Sequence, residues 1–89
     1  MPTMNNQYEL MKRYFPAVLR KYRTASGLTQ REVAEKAGMS ESHYSKLETG
    51  KRWPRTVAQV VFLAEALGVA ANDLLWELAE EVKKENLHE

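Results

Sequence analysis

Eighty-nine residues, 44% hydrophobic and 28% charged with a formal net charge of +1, suffice for one domain with a modest core. The absence of cysteine excludes a disulfide framework and a thiolate metal site, and no apolar run approaches the roughly 20 residues that span a bilayer. The near-neutral total conceals a division: residues 12–55 hold eleven Lys/Arg against four Glu, whereas residues 56–89 hold two Lys against seven acids. An anionic partner is expected for the first part.

The opening "MPTMNNQYELMKRYF" lacks the basic-then-apolar layout of a secretion signal, so a soluble cytoplasmic protein is expected. Met11, Phe15, Val18, Tyr22 and Ala25 recur at helical steps and predict a first helix that stops before Gly27. Pro16 interrupts it; either the helix proper starts there or an earlier helix is kinked, and the continuing apolar phase favours a partly helical extension over residues 1–14. "LTQREVAEKAG" opens with the capping box Thr29-x-x-Glu32 and ends at Gly38 after about two turns. Ser40 caps a third helix that closes at Gly50, and Thr56-x-x-Gln59 caps a fourth with Gly68 as its stop. The last helix is expected to start near Asn72 or Asp73, carry Leu75, Leu78 and Val82 inward and fray after Lys84 into an acidic tail. The class is all-α, with five helices in one compact domain.

Two short helices joined only by Gly38, Met39 and Ser40 cannot lie side by side; so tight a turn forces a crossing nearer perpendicular, a helix-turn-helix formed by helices 2 and 3. Val33 and Ala37 face inward on the first of them, Ala34 is small where the second crosses close, Met39 plugs the turn, and Tyr44 and Leu47 face inward on the second. Glu41, Ser42, His43, Ser45 and Lys46 are left outward, where a recognition helix meets base edges.

The stretch "LRKYRTASGLTQREVAEKAGMSESHYSKLETGKRWP…LAEALGV" resembles the lambda-repressor-like, or Cro/Xre-type, family of helix-turn-helix DNA-binding domains, over roughly Phe15 to Trp76. The resemblance implies a DNA-binding domain over residues 15–76, with residues 77–89 as the helix end and tail. It puts base contacts on Glu41, Ser42, His43 and Lys46, and backbone contacts on Gln30, Arg31, Ser45, Lys51 and Arg52, Gln30 also bracing the recognition helix. It assigns Arg23 and Glu48 to a structural ion pair. Lysine can donate to guanine O6 and N7, serine can donate or accept, and glutamate accepts only from cytosine N4. Glu41 is the odd member, a carboxylate facing phosphates where many relatives carry a neutral amide.

Ser42 beside His43 is no catalytic pair, because neighbours on a helix point about 100° apart. Two distant histidines give no metal site, and no paired carboxylates or glycine-rich phosphate loop is visible, so neither an enzyme nor a cofactor is expected. One recognition helix spans few base pairs, so a homodimer on a palindromic operator of double-stranded DNA is expected, with Trp53, Leu74, Trp76, Leu78 and Val82 as interface candidates. The alternative is an antitoxin or adaptor whose C-terminal helix binds a partner protein. The length leaves no room for a separate small-molecule domain.

Overall fold

A computed structural model describes residues 4–87. Among these there are five helices: α1 (Met4–Ser26), α2 (Gln30–Ala37), α3 (Glu41–Thr49), α4 (Val57–Ala66) and α5 (Ala71–Leu87). The fold is all-α, as the patterning predicts. α1 packs against α5 and α3, α2 against α3 and α4, and α4 against α5.

α1 runs unbroken through Pro16, which lacks the N–H that would bond the carbonyl four residues back. Burial holds it: Leu10 before the proline and Phe15, Val18 and Leu19 around it all belong to the core. The core-facing stripe differs from the expected one at its end, because Ala25 is exposed and Tyr22 only partly buried. At the far end of the bundle the Tyr14 hydroxyl donates to the Glu85 carboxylate at 3.0 Å, Arg13 joins the same carboxylate at 3.4 Å, and Lys21 pairs with Glu77 at 2.5 Å.

These ties correct the reading of α5. The helix starts at Ala71 and continues past Lys84 to Leu87; His88 and Glu89 of the expected tail, like residues 1–3 of the extension, lie outside the described residues. Leu75 does not face inward. Leu74, Leu78 and Val82 form the core stripe, spaced four residues apart, while Leu75 is half-exposed. Being spent in the chain's own core, Leu74, Leu78 and Val82 are unavailable as interface anchors. Trp76 stays 67% exposed.

Candidate nucleic-acid interface

Local capping chemistry sets the two short helices. The Thr29 hydroxyl accepts from the Glu32 N–H at 3.1 Å, and the Glu32 carboxylate accepts from the Thr29 N–H at 2.9 Å. The Thr29 backbone bond, and then its side chain, hold the Glu32 carboxyl below its ordinary value. Gly38 takes φ +74, a left-handed turn, and the Met39 N–H returns to the Ala34 carbonyl at 2.9 Å while Met39 packs on the core. Ser40 then caps α3, its hydroxyl accepting from the His43 N–H at 3.0 Å.

α3 is anchored from beneath. Glu48, only 2% exposed, accepts from Arg23 at 2.5 and 3.1 Å and from the Gln30 amide at 3.1 Å. Arg23 also donates to the Leu28 carbonyl at 3.1 Å, so one guanidinium ties α1, the loop before α2 and α3 together. Burial alone would raise the Glu48 carboxyl; the Arg23 hydrogen bonds, with the Tyr44 hydroxyl and Gln30 beside it, outweigh that and hold it below the usual carboxylate range. The Tyr44 hydroxyl is buried against this carboxylate without good hydrogen-bond geometry, and desolvation pushes its ionisation far up. Arg23 and Glu48 thus form the ion pair, and the Gln30 amide on α2 donates to the same carboxylate.

The anchoring leaves the opposite face of α3 to solvent. Glu41 and Ser42 are exposed at its first turn, and His43, Ser45 and Lys46 are half-exposed. Arg31 is exposed on α2, where it pairs along its own helix with Glu35 at 3.3 Å. Past the C-terminus of α3, Gly50 takes φ +81, and the Lys46 carbonyl accepts from the N–H groups of Gly50, Lys51 (2.9 Å) and Arg52 (3.1 Å). That one carbonyl folds the basic loop back under Lys46. The result is a polar hollow of about 410 Å³ lined by Lys46, Lys51, Arg52, Trp53 and Arg55, with no carboxylate in its wall. Such a concave cluster of cations suits a phosphate.

Arg55 escaped the sequence reading. Its signal was the spacing Lys51-Arg52-x-x-Arg55, but only the path of the loop shows that the third cation comes round to the first two. Trp53 is half-buried, its ring edge-on to Phe15 at 5.3 Å and to Tyr8 at 6.0 Å. It therefore seats the basic loop on α1. Among the described residues no group of His, Asp and Glu is arranged to hold a metal ion, and no single helix is long and apolar enough to cross a membrane.

Residues 16–76 match the family model of the helix-turn-helix domain. The chain is 45% identical over 53 residues to the HTH-type transcriptional regulator y4dJ of Sinorhizobium fredii, across 60% of this chain and 68% of that protein. It is 35% identical over 65 residues to a hypothetical transcription factor of Neisseria meningitidis, across 73% of this chain and 60% of the relative. Among solved structures it superposes on the clp gene regulator ClgR of Corynebacterium glutamicum with TM-score 0.77 and 28% identity, covering 88% of this chain and 82% of that one. The restriction-modification controller protein C.AhdI of Aeromonas hydrophila gives TM-score 0.64 and 33% identity, covering 75% and 97%.

Proposed function

The chain belongs to the helix-turn-helix domain family of transcriptional regulators, and from that premise we propose that it binds double-stranded DNA sequence-specifically in the cytoplasm, as a homodimer on a palindromic operator. α3 enters the major groove, N-terminal turn foremost. Ser42 and Lys46 offer donors to base edges, His43 a donor or acceptor, and Glu41 an acceptor that only a cytosine amino group satisfies. Glu41 therefore acts by exclusion, penalising sites that place a phosphate or a base acceptor against it.

Gln30, Arg31, Ser45, Lys51 and Arg52 meet the sugar-phosphate backbone and set the register of α3, supplying affinity through counterion release. The observation that carries this reading is the juxtaposition of an outward polar face on α3, fixed from below by Arg23, Glu48 and Gln30, with a carboxylate-free basic hollow at its C-terminal end. Arg31 reaches a phosphate by exchanging its pair with Glu35, an exchange that costs little because both side chains are mostly exposed. ClgR and C.AhdI, a gene regulator and a controller protein, carry the same fold and agree with a regulatory role here.

Selection of duplexes from a randomised library by the purified protein tests this reading, with affinities measured at two salt concentrations. The expected winner is a palindrome with half-sites one helical turn apart, bound about 10³-fold or more above scrambled DNA. Equal binding of all sequences that vanishes with added salt refutes it, leaving only an electrostatic footprint.

A further inference from the structure

α1 begins at Met4, whereas the segment that matches the helix-turn-helix domain begins at residue 16. The first turns of the helix thus stand outside the part that carries the proposed DNA contacts. Leu10 is there for the core, and Arg13 and Tyr14 clasp Glu85. Tyr8 does neither. It is 45% exposed, and its ring stands edge-on to Trp53 at 6.0 Å and 85°.

Tyr8 and Phe15 are seven residues apart, close to two helical turns, so they share one face of α1. The rise between them is about 10.5 Å. Ring separations of 6.0 Å from Tyr8 and 5.3 Å from Phe15 let one indole fill that gap, edge-on to both. Phe15 is 2% exposed and packed in the core, so Tyr8 is the outer jaw of the bracket. Lys12, one turn further on, stands 4.7 Å over the Tyr8 ring and pairs with Glu9 at 3.6 Å, which steadies that jaw.

The indole depends on this bracket because the chain around it is sparsely tied. The Lys46 carbonyl holds the start of the loop through the N–H groups of Lys51 and Arg52, Pro16 abuts Gly50, and the Gln59 side chain holds the Arg55 N–H at 3.2 Å. Between these ties no hydrogen bond among the described residues reaches the Trp53 backbone. Yet Trp53 is a wall of the basic hollow, together with Lys46, Lys51, Arg52 and Arg55. Where the indole stands therefore sets how those cations converge.

We propose that Tyr8 is a positioning residue for the grip on the DNA backbone, clamping Trp53 against Phe15 so that Lys51, Arg52 and Arg55 converge on one phosphate. The proposal rests on the reading of the chain as an operator binder and gives the first turns of α1 a part in it.

Tyr8→Ala and Tyr8→Phe, beside wild type, test it on the full chain. Both are expected to fold, since Tyr8 is half-exposed and alanine is the better helix former. Without DNA, amide exchange at Lys51, Arg52 and Trp53 is expected to speed about threefold to tenfold in Y8A, the worth of one aromatic pair, with α2 and α3 unchanged. On DNA, Y8A is expected to lose affinity by about the same factor on the selected operator and on scrambled duplex alike. The slope of its log affinity against log salt is expected to fall by about 1, the share of one phosphate. Y8F is expected to match wild type throughout, because the ring and not the hydroxyl meets the indole. Wild-type loop exchange in Y8A, or wild-type affinity and salt slope, overturns the proposal. So does a loss confined to the operator, which puts the effect on α3 and not on the loop. Failure of the wild type to bind any duplex refutes the operator reading itself, whatever the loop exchange shows.

Discussion

Replacing Arg23 by alanine isolates the anchoring of α3. The guanidinium makes two hydrogen bonds to Glu48, at 2.5 and 3.1 Å, and one to the Leu28 carbonyl at 3.1 Å. Its removal leaves a carboxylate that is 2% exposed with only the Gln30 amide as a firm partner. Breaking a buried pair in this way costs about 3–5 kcal/mol. Because the Arg23 side chain is 19% exposed, water reaches the vacated site and the expected loss lies at the lower end, about 3 kcal/mol. For a chain of this size each kcal/mol is worth about 4–8 °C, so the melting temperature falls by about 12–24 °C.

The assay is urea unfolding followed by far-UV circular dichroism at pH 7, on wild type, Arg23→Ala, Glu48→Gln and the double variant. A loss below about 1 kcal/mol, the worth of an exposed pair, or full additivity in the double variant, refutes the assignment. The pH dependence supplies a second check. The Glu48 carboxyl is held below its ordinary value near 4.5, so the stability it contributes is complete above that value and is lost as pH falls through the lower folded one. The gap between wild type and Arg23→Ala is therefore widest at neutral pH; it begins to narrow above about 4.5, where the unpaired buried carboxyl of the variant takes up its proton, and narrows further as the wild-type carboxyl is protonated below that value. A gap independent of pH contradicts the mechanism.

Lys46→Ala is expected to cost roughly 1–3 kcal/mol of operator affinity and to relax preference at one base pair; equal loss on every sequence makes Lys46 a phosphate contact. Lys51→Gln with Arg52→Gln is expected to reduce the slope of log affinity against log salt by about 2 on operator and scrambled DNA alike, as titration at several salt concentrations shows. Ser40→Ala removes the acceptor for the His43 N–H and is expected to cost about 1 kcal/mol of stability in urea unfolding. Tyr14→Phe removes the hydroxyl bound to Glu85; it is expected to speed hydrogen exchange in the last turns of α5 while leaving exchange in α2 and α3 unchanged.

What the sequence made legible is local. Thr29 with Glu32, Ser40 with His43 and Thr56 with Gln59 meet across three residues, so spacing alone reports the bond. Even there one detail escaped: the Gln59 carbonyl reaches past Thr56 to the Arg55 N–H at 3.2 Å. Arg23 and Glu48 stand 25 residues apart, and no periodicity joins them; only the family resemblance named the pair. Composition likewise reports a basic half without reporting that the Lys46 carbonyl gathers Lys51 and Arg52 into one hollow, or that Arg55 comes round to join them.

The register of α5 was undetermined for a physical reason. In "NDLLWELAEEV" either Leu74 or Leu75 continues at helical steps through Leu78 to Val82, so both stripes satisfy the apolar pattern. The choice falls to α1. Lys21 holds Glu77, while Tyr14 and Arg13 hold Glu85; these ties match one rotation of α5 about its own axis. That rotation sends Leu74 into the core and turns Leu75 and Trp76 out together. A helix rotated by one residue the other way would bury Leu75 and turn Leu74 out of the core. Burial of the stripe Leu74, Leu78 and Val82 supplies the energy for the observed rotation, and the polar ties to α1 match it, so Leu75 and Trp76 are the apolar residues left outside.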